Sequence, residues 1–395
     1  MLIKEYGVQV SGPLERRAQE FSSQLASLGY VWLVIRRALL VFAFVSNWLG
    51  TRRLRPGDVT AKQVEHLRHA RHGIGYGRSL SKVLEFLRAV GEVPPVRPNA
   101  RRTGLDRLLD RYREYLVDER GLSGGVVHRY CIVAGRLLAG RPRGAHLRRL
   151  TASEVLEFLR NEARGFSAGH AGCVASALRS WVRFLHVEGR IPASLVGAVP
   201  SIAGWRGASL PQALAPGAVR RMLCSCDRRT RIGRRDFAVL TLLIRLGLRA
   251  GEVAGLELDA LDWRQGEVVV HGKGKTLSRL PLPQDVGQAL SAYLVRRPRV
   301  ASRALFLRSR APLQRLTQPA ITHLVAKASR RAGLERVSPH RLRHTLATEM
   351  LRRGATLTQI AQVLRHRSQT TTAIYAKVDR VALRELAQPW PGGVV

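Results

Sequence analysis

Four things are scarce in this sequence, and each scarcity excludes something. Cysteine is scarce: four residues (131, 173, 224 and 226) in a chain of 395. That rules out a disulfide-stapled scaffold. Cys224-Ser225-Cys226 has no second ligand pair at metal-site spacing, so neither a metal nor any cofactor is expected. Acidic residues are scarce: 28 against 66 basic ones, a formal net charge of +38 and a pI near 11.7. Such a balance says nothing of fold, but it calls for a polyanionic partner, nucleic acid first. Unbroken apolar runs are scarce. The longest candidate, "LGYVWLVIRRALLVFAFV" (28–45), is split by Arg36 and Arg37 into pieces shorter than the ~20 residues a bilayer needs. It is expected to be a core helix, with no membrane partner. With no signal-peptide pattern at the start, a cytoplasmic location is expected. Lysine is the fourth: seven of the 66 basic residues (4, 62, 82, 273, 275, 327, 377), which leaves 59 arginines.

What the chain does have is 45% hydrophobic residues, enough for packed cores. Proline-rich seams at 92–102 and 201–217 divide it into three blocks, 1–98, 102–198 and 212–390. The first two resemble each other. "GDVTAKQVEHLRHAR" (57–71) matches "RRLTASEVLEFLRNEAR" (148–164), and "SLSKVLEFLRAVGEVP" (79–94) matches "ALRSWVRFLHVEGRIP" (177–192). Apolar residues at helical spacing in both, such as Val155, Leu156 and Leu159, predict tandem helical bundles. The third block is helical at 234–258 and again at 285–295, 317–333, 339–353 and 357–364. Between them "GEVVVHGKGKTLSRLPLP" (266–283) predicts a β-hairpin. The expected fold is therefore mainly α: an α+β third domain with a small β-sheet, preceded by two all-α helical-bundle domains.

Three stretches carry chemistry. In "SPHRLRHTLATEML", Ser338 can cap a helix and Pro339 fits its first turn. His340, Arg343 and His344 then share one face near the positive end of the helix dipole, an anion site. In "GLRAGEVAGLEL" (247–258), Glu252 lies three residues after Arg249 and can orient its guanidinium. In "HGKGKTLSR" (271–279), Lys273 and Lys275 sit at a hairpin tip. In a chain that otherwise uses arginine, lysine there suits a proton donor, because an ammonium can give up its proton and a guanidinium in practice cannot.

These stretches, in this order, resemble the tyrosine recombinase (phage integrase) family, of the kind carried by bacterial mobile elements. The resemblance is specific over about 212–385. It implies an enzyme, a site-specific recombinase that cleaves and rejoins DNA through a covalent 3′-phosphotyrosine. Its implied catalytic set is Arg249, Lys273, His340, Arg343, His366 and the nucleophile Tyr375. Glu252 and His344 support that set, and Lys275 is a fallback for Lys273 or a DNA contact. The family usually has Leu-Gly-His where this chain has Leu364-Arg365-His366; Arg365 and Arg367 are expected to touch DNA phosphates. The block 102–198 resembles the family's core-binding domain. The block 1–98 is expected to grip DNA further or to contact another protomer. The partners implied are double-stranded DNA, other copies of the chain in a tetramer, and partner recombinases of the same element. Two rival readings are a DNA-binding accessory protein without cleavage and a type IB-like topoisomerase.

Overall fold

The structure, a computed structural model, describes residues 1–70, 75–95, 104–140, 147–165, 168–201, 213–272 and 276–365, with Thr372 and Tyr375. They divide into two compact units, one drawn from Met1–Pro95 and Ser209–Val395, the other from Val96–Ala208.

The N-terminal block, expected from its sequence to be all-α, also carries a small sheet. It opens with β1 (Leu2–Ile3) and β2 (Val8–Gln9), paired antiparallel with Leu2 opposite Gln9 and Ile3 opposite Val8. Strands of two residues are too short to show an alternating pattern. Burial of Ile3, Tyr6, Val8 and Val10 holds them in place. Four helices follow: α1 (Ala18–Ser27), α2 (Trp32–Thr51), α3 (Ala61–His69) and α4 (Tyr76–Ala89). By length and composition α2 could cross a membrane, yet half of its most apolar stretch is buried. Ile35, Leu39, Phe42, Val45 and Leu49 recur at helical spacing and face the core. There Phe42 stacks on Phe21 with ring centroids 4.9 Å apart, and Phe86 closes the cluster. Arg36 lies over the exposed Trp32 ring and is not drawn into the core.

The second unit contains α5 (Gly104–Glu114), α6 (Gly124–Ala139), α7 (Ala152–Ala163) and α8 (Ala168–Val187), packed around Tyr112, Trp181 and Phe184. The likeness seen between the two blocks' sequences reappears in local structure. Thr60 and Thr151 each stand before a helix and form a capping box with Gln63 and Glu154. The long helix that follows ends alike in both. Gly91 and Gly189 turn left-handed (φ 73° and 65°), and the next N–H reaches back to Leu87 O and Leu185 O.

The remainder of the first unit carries α9 (Pro216–Cys224), α10 (Arg231–Arg245), α11 (Ala250–Gly255), α12 (Gln284–Leu294), α13 (Gln318–Arg331), α14 (Pro339–Arg352) and α15 (Leu357–Leu364). Between α11 and α12 lies a three-stranded antiparallel sheet: β3 (Leu261–Asp262), β4 (Glu267–His271) and β5 (Leu277–Pro281). The expected hairpin is β4–β5, with Val268 opposite Leu280 and His271 opposite Leu277. Helix α10 runs through the core, burying an almost continuous stretch from Ala238 to Leu243. It packs against α12 and α14, which fixes the turn after α10 beside the start of α14. The N-terminal block is tied to this part by a hydrogen bond from Leu313 N to Leu28 O.

Thr151 both accepts the Glu154 N–H (3.2 Å) and donates its own N–H to the Glu154 carboxylate (2.7 Å). Thr151→Ala should therefore cost about 1 kcal/mol of stability, read as a lowered urea midpoint with an unchanged slope; an unmoved midpoint would mean the cap contributes nothing.

Candidate active site

The site is built on the first turn of α14. Ser338 caps it, its Oγ accepting the Arg341 N–H at 3.2 Å, and Pro339 needs no donor there. The helix places Arg343 inward, 2% exposed. Its guanidinium donates to Gly247 O at 2.5 Å and to Leu364 O. Two backbone carbonyls, from the turn after α10 and the end of α15, thus fix its orientation. Gly247 has φ +59°, and a Cβ there would lie 2.8 Å from Leu364 Cδ2 and 2.9 Å from Leu346 Cδ2. Glycine takes that turn without strain, and any side chain there would have to push both leucines aside. Burial, then the neighbouring charges of Arg249 and Arg365, lower the Arg343 pKa to about 10, which still leaves it charged at neutral pH.

Arg249 is the residue before α11, and Glu252 lies on that helix's first turn. Glu252 Oε1 accepts from Arg249 Nη1 at 2.6 Å, and Oε2 accepts the Arg249 backbone N–H at 2.9 Å. Oε2 also accepts from Arg365 Nη2 at 3.0 Å. Burial alone would raise the Glu252 pKa. The Arg249 backbone N–H, the Arg365 charge and the Arg249 guanidinium outweigh it and hold the carboxyl below its ordinary value. The Arg249 side chain remains 43% exposed while Glu252 is 4% exposed, so the pair presents a guanidinium to solvent from a buried anchor. Arg365, expected at a DNA phosphate, turns inward onto that same anchor.

Tyr375 is 1% exposed, and its Oη lies 2.6 Å from His344 Nδ1. The His340 and His344 rings meet edge to face with centroids 4.3 Å apart. Burial first, then His340 and Arg343, lower the His344 pKa to about 4. Burial, partly offset by Arg343, raises the Tyr375 pKa to about 12. At neutral pH a protonated phenol therefore meets a neutral imidazole, and the imidazole tautomer sets which of the two donates. The His340 pKa is lowered as well, by burial and by Arg343 and Arg249.

The structure thus gathers Arg249, Glu252, His340, Arg343, His344, Arg365 and Tyr375. Lys273, Lys275, His366 and Arg367 lie outside the described residues. The hairpin that carries the two lysines is described up to Gly272 N, which donates to Thr276 O at 2.7 Å. Sequence reasoning assigned His344 a supporting place but did not pair it with Tyr375. It also missed the two carbonyls on Arg343, for which the glycine in "GLR" was the available signal. Among the described residues no three His, Cys, Asp or Glu side chains gather as metal ligands would.

With this geometry established, the chain can be set beside known proteins. The phage integrase family model matches residues 212–381. A protein of Sinorhizobium fredii named as an integrase/recombinase, y4rA, is 38% identical over 393 residues, covering 96% of this chain and 95% of its own. The tyrosine recombinase XerC of Azotobacter vinelandii is 33% identical over 283 residues, 70% of this chain and 91% of its own. Among solved structures, a lambda integrase tetramer bound to a Holliday junction shares the fold with a TM-score of 0.54 at 18% identity, over 69% of this chain and 76% of that one.

The His344 shift has a testable sign. A histidine held near pKa 4 in the folded chain, against an ordinary 6.5, favours unfolding when it protonates. Its contribution is complete above about pH 6.5 and is lost as pH falls toward 4. His344→Gln should lose less stability than the parent across that interval, measured by urea midpoints at each pH. Parallel losses in the two proteins would show that His344 is not held neutral.

Proposed function

This chain belongs to the tyrosine recombinase (phage integrase) family, and from that premise we propose that it serves a bacterial mobile element with Tyr375 as its nucleophile. As a member it is a site-specific DNA recombinase whose reaction passes through a covalent 3′-phosphotyrosine. The observation that carries the residue assignment is the hydrogen bond between Tyr375 and His344. It brings residue 375 to the helical turn that holds Arg343 and, through Glu252, to Arg249.

The chemistry proposed is a balanced exchange of diesters. Tyr375 Oη attacks phosphorus and gives up its proton to an imidazole. The P–O5′ bond breaks, and Lys273 protonates the departing 5′-oxygen. One phosphodiester is replaced by another, so no external energy source is needed and the reverse reaction reseals the strand. Attack adds charge to the non-bridging oxygens, and Arg249 and Arg343 grip those oxygens with fork-shaped donors. His340 and His366 add hydrogen bonds. Because side chains supply this positive charge, the reaction is expected to proceed in EDTA.

The domain roles follow from the same reading. The catalytic domain 212–390 and the core-binding domain 102–198 clamp double-stranded DNA. The block 1–98 adds a further DNA grip or a protomer contact; the paired capping boxes and glycine-terminated helices of the two blocks support a common origin. A tetramer on two sites is the working assembly, since exchange between duplexes uses four nucleophiles. Partner recombinases of the same element complete the set, and the cytoplasm, where the DNA lies, is the location.

A nicked suicide duplex carrying the element's ends tests this reading. In EDTA the protein should yield a DNA-linked band that survives denaturation, and Tyr375→Phe should reduce it at least ~1,000-fold while still retarding the DNA. A folded protein that retards the DNA yet forms no band would overturn cleavage in favour of an accessory binder.

A further inference from the structure

Relatives in this family usually place glycine between the leucine and the histidine that here are Leu364 and His366. The arginine in its place is held in an uncommon way. Arg365 closes α15 with φ 54° and ψ 50°, left-handed values that glycine adopts freely. A residue with a side chain adopts them only under strain. Its side chain then turns inward until 12% is exposed, against a carboxylate that is 4% exposed. Nη2 donates to Glu252 Oε2 at 3.0 Å, Nη1 to Val363 O at 3.1 Å, and Nε is buried with no hydrogen-bond partner.

Charge decides what this arrangement does. Among the described residues Glu252 is the one carboxylate with these three guanidiniums. Arg249 and Arg365 bind it directly, and Arg343 is close enough for both to disfavour its charge. Counted over these four described residues, two positive charges are left uncompensated in a partly buried site. If Arg365 were absent, Oε2 would keep the Arg249 backbone N–H and its other lone pair would be open to the Arg249 guanidinium, whose fork fits a carboxylate bidentately and would be drawn away from solvent. With Arg365 holding Oε2, Arg249 keeps a single side-chain bond to Oε1 and stays 43% exposed.

We propose that Arg365 is a positioning residue for the scissile phosphate: it shares Glu252, so that Arg249 is oriented without being neutralised, and it adds a third guanidinium's field at the phosphate. The proposal rests on the reading that this site binds a phosphodiester. It gives the Leu-Arg-His sequence of this chain a role in catalysis distinct from a phosphate contact on the DNA backbone.

The test is single-turnover cleavage by the full chain of two suicide duplexes. One has an ordinary scissile phosphodiester; the other has a neutral methylphosphonate at that position. Arg365→Gly relieves the backbone, so it should fold with a melting temperature close to the parent's. It should slow phosphodiester cleavage about 10- to 100-fold, less than loss of a directly bonded donor, and methylphosphonate cleavage by less than about 3-fold, since a neutral centre needs less positive charge. Arg365→Lys keeps the charge and should fall between. Parental rates in Arg365→Gly, or equal slowing on both substrates, would overturn the proposal and leave Arg365 a structural cap. Tyr375→Phe in parallel keeps the two questions apart, because an adduct surviving that change defeats the nucleophile assignment and says nothing against Arg365.

Discussion

Glu252 accepts three hydrogen bonds from two arginines while almost wholly buried, and the rest of the site is arranged around that carboxylate. A phosphoryl-transfer site must gather positive charge before its anion arrives, and like charges resist being gathered. Here the resistance is offset by fixed acceptors. Glu252 serves Arg249 and Arg365, and the carbonyls of Gly247 and Leu364 serve Arg343. Each acceptor comes from a place where a helix starts or stops, because only there are carbonyls and cap positions free of the helix's own bonds. The packing of α10 against α12 and α14 is thus what makes the electrostatics possible: it brings three helix ends together.

Much of this was legible in the sequence, for identifiable reasons. Helical spacing of apolar residues pointed to the bundles of the first two blocks, and the β4–β5 hairpin followed from the runs Val268–Val270 and Leu280–Leu282 on either side of the sequence Gly-Lys-Gly-Lys. The two-residue strands at Leu2–Ile3 and Val8–Gln9 left no periodic trace. In the site, Arg249 and Glu252, or His340, Arg343 and His344, are close neighbours on helical turns, so local geometry was enough to group them. The pairing of His344 with Tyr375 spans 31 residues and depends on a side-chain direction that no spacing encodes. Arg365 was equally opaque: its sequence says only that a cation replaces glycine, and whether it points to solvent or inward is settled by a carboxylate 113 residues away.

The two helical blocks show how a pattern can persist while its surroundings change. In both, a threonine caps a helix by trading hydrogen bonds with the third helical residue, and a left-handed glycine ends the next helix. These are the positions where backbone donors and acceptors lack helical partners, so their chemistry is the least free to drift. The aromatic residues agree only in part: Phe86 and Phe184 occupy matching places, while Phe21 and Phe42 accompany the one and Tyr112 and Trp181 the other.

Burial of the Tyr375 hydroxyl bears on how such a protein can share a cell with a genome. A chain carrying 38 excess positive charges will spend much of its time on whatever DNA is nearest, since that attraction ignores sequence. Every such encounter presents thousands of phosphodiesters chemically identical to the right one. Tyr375, the proposed nucleophile, has 1% of its surface accessible and as it stands meets none of them. Residence on DNA and commitment to breaking it are therefore separate events, and the second draws its free energy from contacts that random DNA does not provide. Fidelity in this protein begins with the withholding of an atom.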